Sequence, residues 1–157
     1  EQGVIGPTPH RPGGPPIWGG GSATEALARA GKHFDGWFPT GPDSNTFGGH
    51  WRQVQAAARE AGRDPQALDA AIYLTLAVDE NAANAEERLN GFLSAYYGQR
   101  PDVLRKRQAS FAGSMQAAVE WIQGYVNEGA RHLVLRFAGD HQHNLDRFAK
   151  IRDSLRG

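Results

Sequence analysis

The chain contains no cysteine. Disulfides, thiolate nucleophiles and cysteine-ligated metals are therefore excluded. It also lacks a surplus of either charge: 17 Lys+Arg balance 17 Asp+Glu, with no block of one sign. Without a basic excess there is no electrostatic footprint for nucleic acid. No apolar run nears the roughly 20 residues of a membrane-spanning helix. The opening residues, EQGVIGPTPHRPGGPP, lack the basic-then-apolar layout of a secretory signal. These absences leave a cytoplasmic protein as the expectation. Met115 is the only methionine, and the chain opens on Glu1. The expectation from that opening is a processed start or a piece of something longer.

The chain has 157 residues, 39% of them hydrophobic. That suits one domain burying roughly 70% of its unfolded surface. Residues 1–14 read as an extended Pro/Gly-rich lead-in, because Pro and Gly exclude helix and central strand. Residues 15–157 read as a single domain. Its first strand is short, about Pro16 to Gly20, and a helix follows to about His33. Ser22 stands three residues before Glu25, the spacing of a capping box. Asp35–Phe38 reads as the second strand. Phe47, Trp51, Val54, Ala58 and Ala61 recur on one helical face, which Gly62 and Pro65 terminate. Asp69–Asp79 is a near-continuous apolar run, as in a parallel strand buried on both faces.

Asp79 is the expected N-cap of the next helix, with Leu89, Phe92, Leu93 and Tyr96 on its buried face. Residues 98–113 read as irregular. Gly113-Ser114 opens another helix, carried inward by Ala118, Trp121, Ile122, Tyr125 and Val126. Arg131–Phe137 is the fourth strand, and a last helix covers about 141–155, with Leu145, Phe148, Ala149 and Arg152 inward or flanking. The order is β-α-β-α-β-α-α-β-α. Such alternation implies a parallel sheet with right-handed crossovers. Four such strands make either a small open sheet or half of an eight-stranded barrel.

Gly20, Gly21 and Ser22 stand between a strand end and a helix start. Free amides, the helix dipole and glycine's close approach favour an anion there. The competing reading is a tight turn that needs glycine for positive φ. Asp140, His141, His143 and Asp146 follow the last strand. A His-x-His pair without a third ligand does not specify a metal site, and Asp140 is more simply an N-cap. Trp51 and Trp121 fall on helical core faces. Trp18 and Trp37 lie in strands, and their direction is open.

Taken together, PPIWGGGS (Pro15–Ser22) with AGKHFDGWFPTG, EAGRDP (Glu60–Pro65), YLTLAVDE (Tyr73–Glu80) and SFAGSMQAAVEWIQGYVNEGARHLVLRFAG (Ser110–Gly139) resemble the luciferase-like monooxygenase family, which includes the F420-dependent oxidoreductases. The likeness runs from about Pro9 to Arg152. It implies strands five to eight, the C-terminal half of a (β/α)8 TIM barrel, completed by a missing N-terminal half or by dimerisation. It implies a cofactor, FMN or F420, whose phosphate the turn at Gly20, Gly21 and Ser22 helps hold. It also points to Thr40, Arg107 and Arg131 as positions that contact a substrate phosphate in F420-dependent sugar-phosphate dehydrogenases. A lysine of that set falls near Asp43 here, so the same substrate is not expected. The family usually has an apolar residue where Gly19 stands.

Two further readings stand beside this one. A stand-alone half-barrel would pair as a homodimer, without catalysis, and bind a phosphorylated ligand. A small sheet module unrelated to barrels would show strand order 2-1-3-4 instead of sequential order.

Overall fold

The structure, a computed structural model, describes residues 6, 9–41, 43–139, 142, 144–146 and 148–149. Residues 9–17 carry no helix or strand. The elements that follow are β1 (Trp18–Gly19), α1 (Thr24–His33), β2 (Gly36–Trp37), α2 (Ser44–Glu60), β3 (Asp69–Val78), α3 (Ala82–Tyr97), α4 (Pro101–Leu104), β4 (Ser110–Gly113), α5 (Met115–Asn127) and β5 (His132–Phe137). Residues 142, 144–146, 148 and 149 are helical within the segment expected as the last helix.

Every strand pairing is parallel. β3 is the centre of the sheet. In a strand, successive residues bond to opposite sides. The amides of Asp69, Tyr73, Thr75 and Asp79 donate to Asp35, Pro39, Ala109 and Gly113 along one edge. The carbonyls of Ala70 and Leu76 accept from Arg131 and Ala138 along the other. So β2 and β4 lie end to end on one edge of β3, and β5 takes the opposite edge. The four expected strands therefore stand in sequential order, β1-β2-β3-β5, which rules out the 2-1-3-4 module.

Alternation also sorts the two faces. Ile72, Leu74, Leu76 and Val78 of β3 join one buried cluster with Leu27, Phe47, Val54 and Ile122 of the helices. Trp37 of β2 points the same way, is fully buried, and stacks on Phe47 at 5.2 Å between ring centroids. The other face carries Trp18, Phe38 and Tyr73, linked by ring contacts at 6.0 and 6.3 Å. Trp37 therefore faces the helices, whereas Trp18 faces away from them. A second, smaller cluster joins Leu89, Leu93 and Leu104 to Ala77 and Ala138. It lays α3 and α4 over one end of the Tyr73 face.

Four local expectations are corrected. Residues 98–113 are not irregular: they hold α4 and β4. SFAG is too short to show a period, and only the edge offered by Thr75–Val78 makes it a strand. Asp79 does not cap α3. Asn81 does, its side chain accepting from the Ala83 and Asn84 amides, while Asp79 accepts from Asn81 and pairs with Arg88. Ala61 is exposed and Tyr96 is 63% exposed, so neither belongs to a buried face, while in the last helix Phe148 is buried and Leu145 and Ala149 are exposed beside it. Finally, Ser22 and Glu25 form no capping box. Helix α1 starts one residue later, on Ala23, with no side-chain cap. Glu25 thus falls at N2, where it cannot reach back to Ser22 as a box requires.

Candidate anion site

The glycine turn is set by the core beneath it. Trp37 is fully buried, so its indole N–H must find an acceptor. It donates to the Gly21 carbonyl at 2.8 Å. Gly21 turns the chain at φ +93°, a left-handed conformation that favours glycine. Gly19 has a separate reason to be glycine. An added Cβ would lie 2.2 Å from the Phe34 ring, which occupies the space an apolar side chain would fill. With no side-chain cap on α1, the Ala26 amide turns back to the Ala23 carbonyl, and Thr24 and Glu25 keep amides without a side-chain acceptor.

The second wall comes from β2. Past Trp37 the chain runs through Phe38 and Pro39 to Thr40 and Gly41. The Thr40 carbonyl accepts from the Ala109 amide at 2.8 Å. This bond brings the start of β4, and the residues before it, against the end of β2. The approach is close. A Cβ on Gly41 would stand 2.8 Å from the Arg107 carbonyl oxygen.

These contacts enclose a cavity of about 260 Å³ lined by Gly21, Ser22, Pro39, Thr40, Gly41, Lys106 and Arg107. Four of the six residues singled out from sequence meet there. Gly20 directly precedes Gly21 in the chain, and a Cβ added there would lie 3.4 Å from the Phe38 carbonyl oxygen. Arg131 is elsewhere. Its amide bonds Ala70 at the amino end of β3, whereas the cavity lies past the carboxyl ends of β1 and β2. Lys106 joins the four; in sequence it is only the middle of the basic run Arg105–Arg107, and such runs are usually solvated surface.

The cavity is cationic. Lys106 and Arg107 are exposed, and neither pairs with a carboxylate among the described residues. Arg105, beside them, is neutralised by a bidentate pair with Glu86. Two free cations, a hydroxyl on each side (Ser22 and Thr40) and an uncapped helix start all favour a negative group. The volume is below the roughly 300–1,000 Å³ of pockets that enclose a whole drug-sized ligand. It suits one anionic group of a larger molecule.

A second cavity, about 280 Å³, lies on the other side of the basic segment, lined by Asp43, residues 105–110, Trp121 and Tyr125. Its charge is mixed. Asp43 caps α2, and hydrogen bonds from the Thr46 amide and hydroxyl hold its carboxyl below the usual range. Burial, assisted by the Asp43 charge, raises the Tyr125 phenol well above its ordinary value. A fixed carboxylate makes this cavity the poorer host for an anion. Asp140, His141 and His143 lie outside the described residues.

The sequence of residues 2–155 matches the model of a family described as luciferase-like monooxygenase. The chain belongs to that family. Among curated relatives of this luciferase-like protein is a 5,10-methylenetetrahydromethanopterin reductase of Methanolobus tindarius, 29% identical over 114 residues. The match covers 73% of this chain and 34% of that protein. Among solved structures, an F420-dependent secondary alcohol dehydrogenase in complex with an F420–acetone adduct superposes with a TM-score of 0.75 at 18% identity, over 90% of this chain and 49% of its own. A long-chain alkane monooxygenase superposes with a TM-score of 0.67 at 17% identity, covering 91% and 41%. The luciferase-like chain thus spans half or less of the length of these relatives. At such identities the structural likeness shows the fold. No described helix is long and apolar enough to cross a membrane.

Proposed function

We propose that the chain forms the C-terminal half, strands five to eight, of a flavin- or F420-dependent oxidoreductase barrel, and that its cationic cavity holds the cofactor phosphate. The observation that carries this reading is the convergence of the Gly21–Ser22 turn, Thr40 and the Lys106–Arg107 pair on one small cavity. The family is oxidoreductase in character. Sequential parallel strands support the half-barrel assignment. FMN and F420 each carry a phosphate, and the cavity selects for that shared group. Bound there, the cofactor would supply the redox chemistry, and the chain would anchor it.

Within the cavity, Lys106 and Arg107 neutralise the charge. Ser22 and Thr40 donate hydrogen bonds, and the Gly21 turn lets the backbone approach closely. Titration of the chain with FMN, riboflavin, F420 and inorganic phosphate tests this. FMN binding tighter than riboflavin, or F420 binding weakened by phosphate, is expected. Absence of binding by both FMN and F420 removes the cofactor assignment.

A second reading is favoured by Val134, an apolar residue opposite Tyr73 on the same sheet face and 39% exposed. Two copies would cover these faces and the open edges of β1 and β5 as a homodimer. Sedimentation decides, and a dilute, well-behaved monomer sinks it.

A further inference from the structure

Arg136 is the most unusual charged residue in the described structure. It sits on β5 opposite Thr75 of β3, on the face away from the main helical cluster. No carboxylate pairs with it among the described residues. Its guanidinium carbon instead lies 4.8–5.3 Å from the centroids of four rings, Tyr73, Phe92, Tyr96 and Tyr97. Such rings stabilise a cation without neutralising it. The hydrogen bonding is concentrated on one nitrogen. Nη2 donates to Thr75 Oγ1 at 3.0 Å, Tyr97 Oη at 3.0 Å and Gln108 Oε1 at 3.3 Å. Two hydrogens are thus shared among three acceptors. Nε is buried and has no partner among the described residues.

Gln108 is what makes this arrangement consequential. It is 8% exposed, and its Oε1 accepts from both Arg136 Nη2 and the Tyr97 hydroxyl. It directly follows Lys106 and Arg107, the cationic wall of the anion cavity. The backbone on its far side is held by the Ala109–Thr40 bond. The Arg107 and Gln108 amides also donate to the Leu104 carbonyl, and the Ala109 carbonyl accepts from Thr75, so backbone bonds flank the segment on both sides. The side chain of Gln108 adds an attachment of a different kind, to a cation fixed between two strands and α3.

We propose that Arg136 is a positioning residue for the anion site: through Gln108 it holds the Lys106–Arg107 segment against the glycine turn. This deepens the cavity's assignment as a phosphate site and rests on it for the binding consequence. The tether itself is independent of any ligand. It also couples the C-terminal end of α3, through Tyr97, to the charge lining the cavity. Movement of α3 would loosen the basic wall. Loss of either Arg136 or Gln108 should then have the same effect, because both belong to one connection.

Hydrogen exchange of the 105–110 amides, followed in the full chain, tests the tether. Arg136→Met keeps the bulk and removes the donors, and Gln108→Ala removes the acceptor. Both are expected to speed exchange at Arg107, Gln108 and Ala109, the double variant no more than either single. Gln108→Glu keeps the acceptor and is expected to restore slow exchange, which a generally loosened fold would not do. Titration with inorganic phosphate reads the consequence. Arg136→Met is expected to weaken binding roughly three- to tenfold, in line with losing a charge-assisted hydrogen bond at one remove. Unchanged exchange in both single variants overturns the tether. Faster exchange with unchanged phosphate affinity overturns its role at the site. A wild-type chain that binds no phosphate overturns the cavity's assignment and with it that role, while the exchange data still decide the tether.

Discussion

Of the five glycines inside the described helices, three make an informative set, because a methyl group added to them should have opposite consequences. Gly31 is in α1, Gly49 in α2 and Gly91 in α3. By intrinsic propensity, each Gly→Ala change should stabilise its helix by about 0.5–1 kcal/mol. At Gly49 and Gly91 nothing lies within 4 Å of the added Cβ, so that gain should appear in full. At Gly31 the Cβ would stand 2.2 Å from the Val54 carbonyl oxygen, 2.9 Å from Ala57 Cβ and 2.9 Å from the Ala58 amide nitrogen. Ordinary carbon–oxygen contacts are about 3.3 Å or longer, so α1 and α2 would have to part by about 1 Å. Two of the three obstacles are backbone atoms, and no rotamer change relieves them. Overpacking of that kind costs about 1–3 kcal/mol. After the propensity gain, Gly31→Ala should be destabilised by about 1–2 kcal/mol. The propensity gain is common to both, so the separation between Gly31→Ala and Gly49→Ala should equal the overpacking cost, about 1–3 kcal/mol, or roughly 1 M in urea midpoint. Urea unfolding followed by far-UV circular dichroism measures it. A Gly31→Ala protein as stable as wild type would refute the close packing of α1 on α2.

Other outcomes follow from the same geometry. Gly41→Ala should push the Arg107 carbonyl away and lower the preference for FMN over riboflavin roughly three- to tenfold, with secondary structure intact; an unchanged preference would count against the basic wall. Asp43→Ala should cost about 1 kcal/mol at neutral pH through loss of the α2 cap. Because the folded-state pKa of Asp43 is lowered, its contribution is complete above the unfolded value, about 3.9, and is lost as pH falls through the folded one. The stability gap between wild type and variant should therefore close in acid, as urea midpoints at both pH values will show. Tyr125 has a raised pKa, so its contribution is complete below the unfolded value, about 10, and is lost as pH rises beyond it. In an alkaline titration at 295 nm, Tyr125 should contribute a late ionisation step that Tyr125→Phe removes.

Much of this protein could be read along the chain. The alternation of apolar runs and helical faces set the order of the main elements, because periods of 2 and 3.6 are local properties. The glycine turn was visible for the same reason: three glycines between a strand and a helix are contiguous. The family resemblance pointed to Thr40 and Arg107 individually.

What joins them is not local. Thr40 and Arg107 meet because Ala109 bonds back to the end of β2, a contact that leaves no mark at either position. The strand Ser110–Gly113 exists only where the edge of β3 offers partners, so four residues without a period could not announce it. The direction of Trp18 and Trp37 was equally open, since both lie in strands too short to show an alternation. Trp37 turned inward and its buried indole now fixes the Gly21 carbonyl. The same dependence governs glycine itself. Gly31, Gly49 and Gly91 are alike in sequence terms, each a helix-weakening residue. The backbone of α2 against Gly31, and open space beside the other two, decide which of them the fold requires.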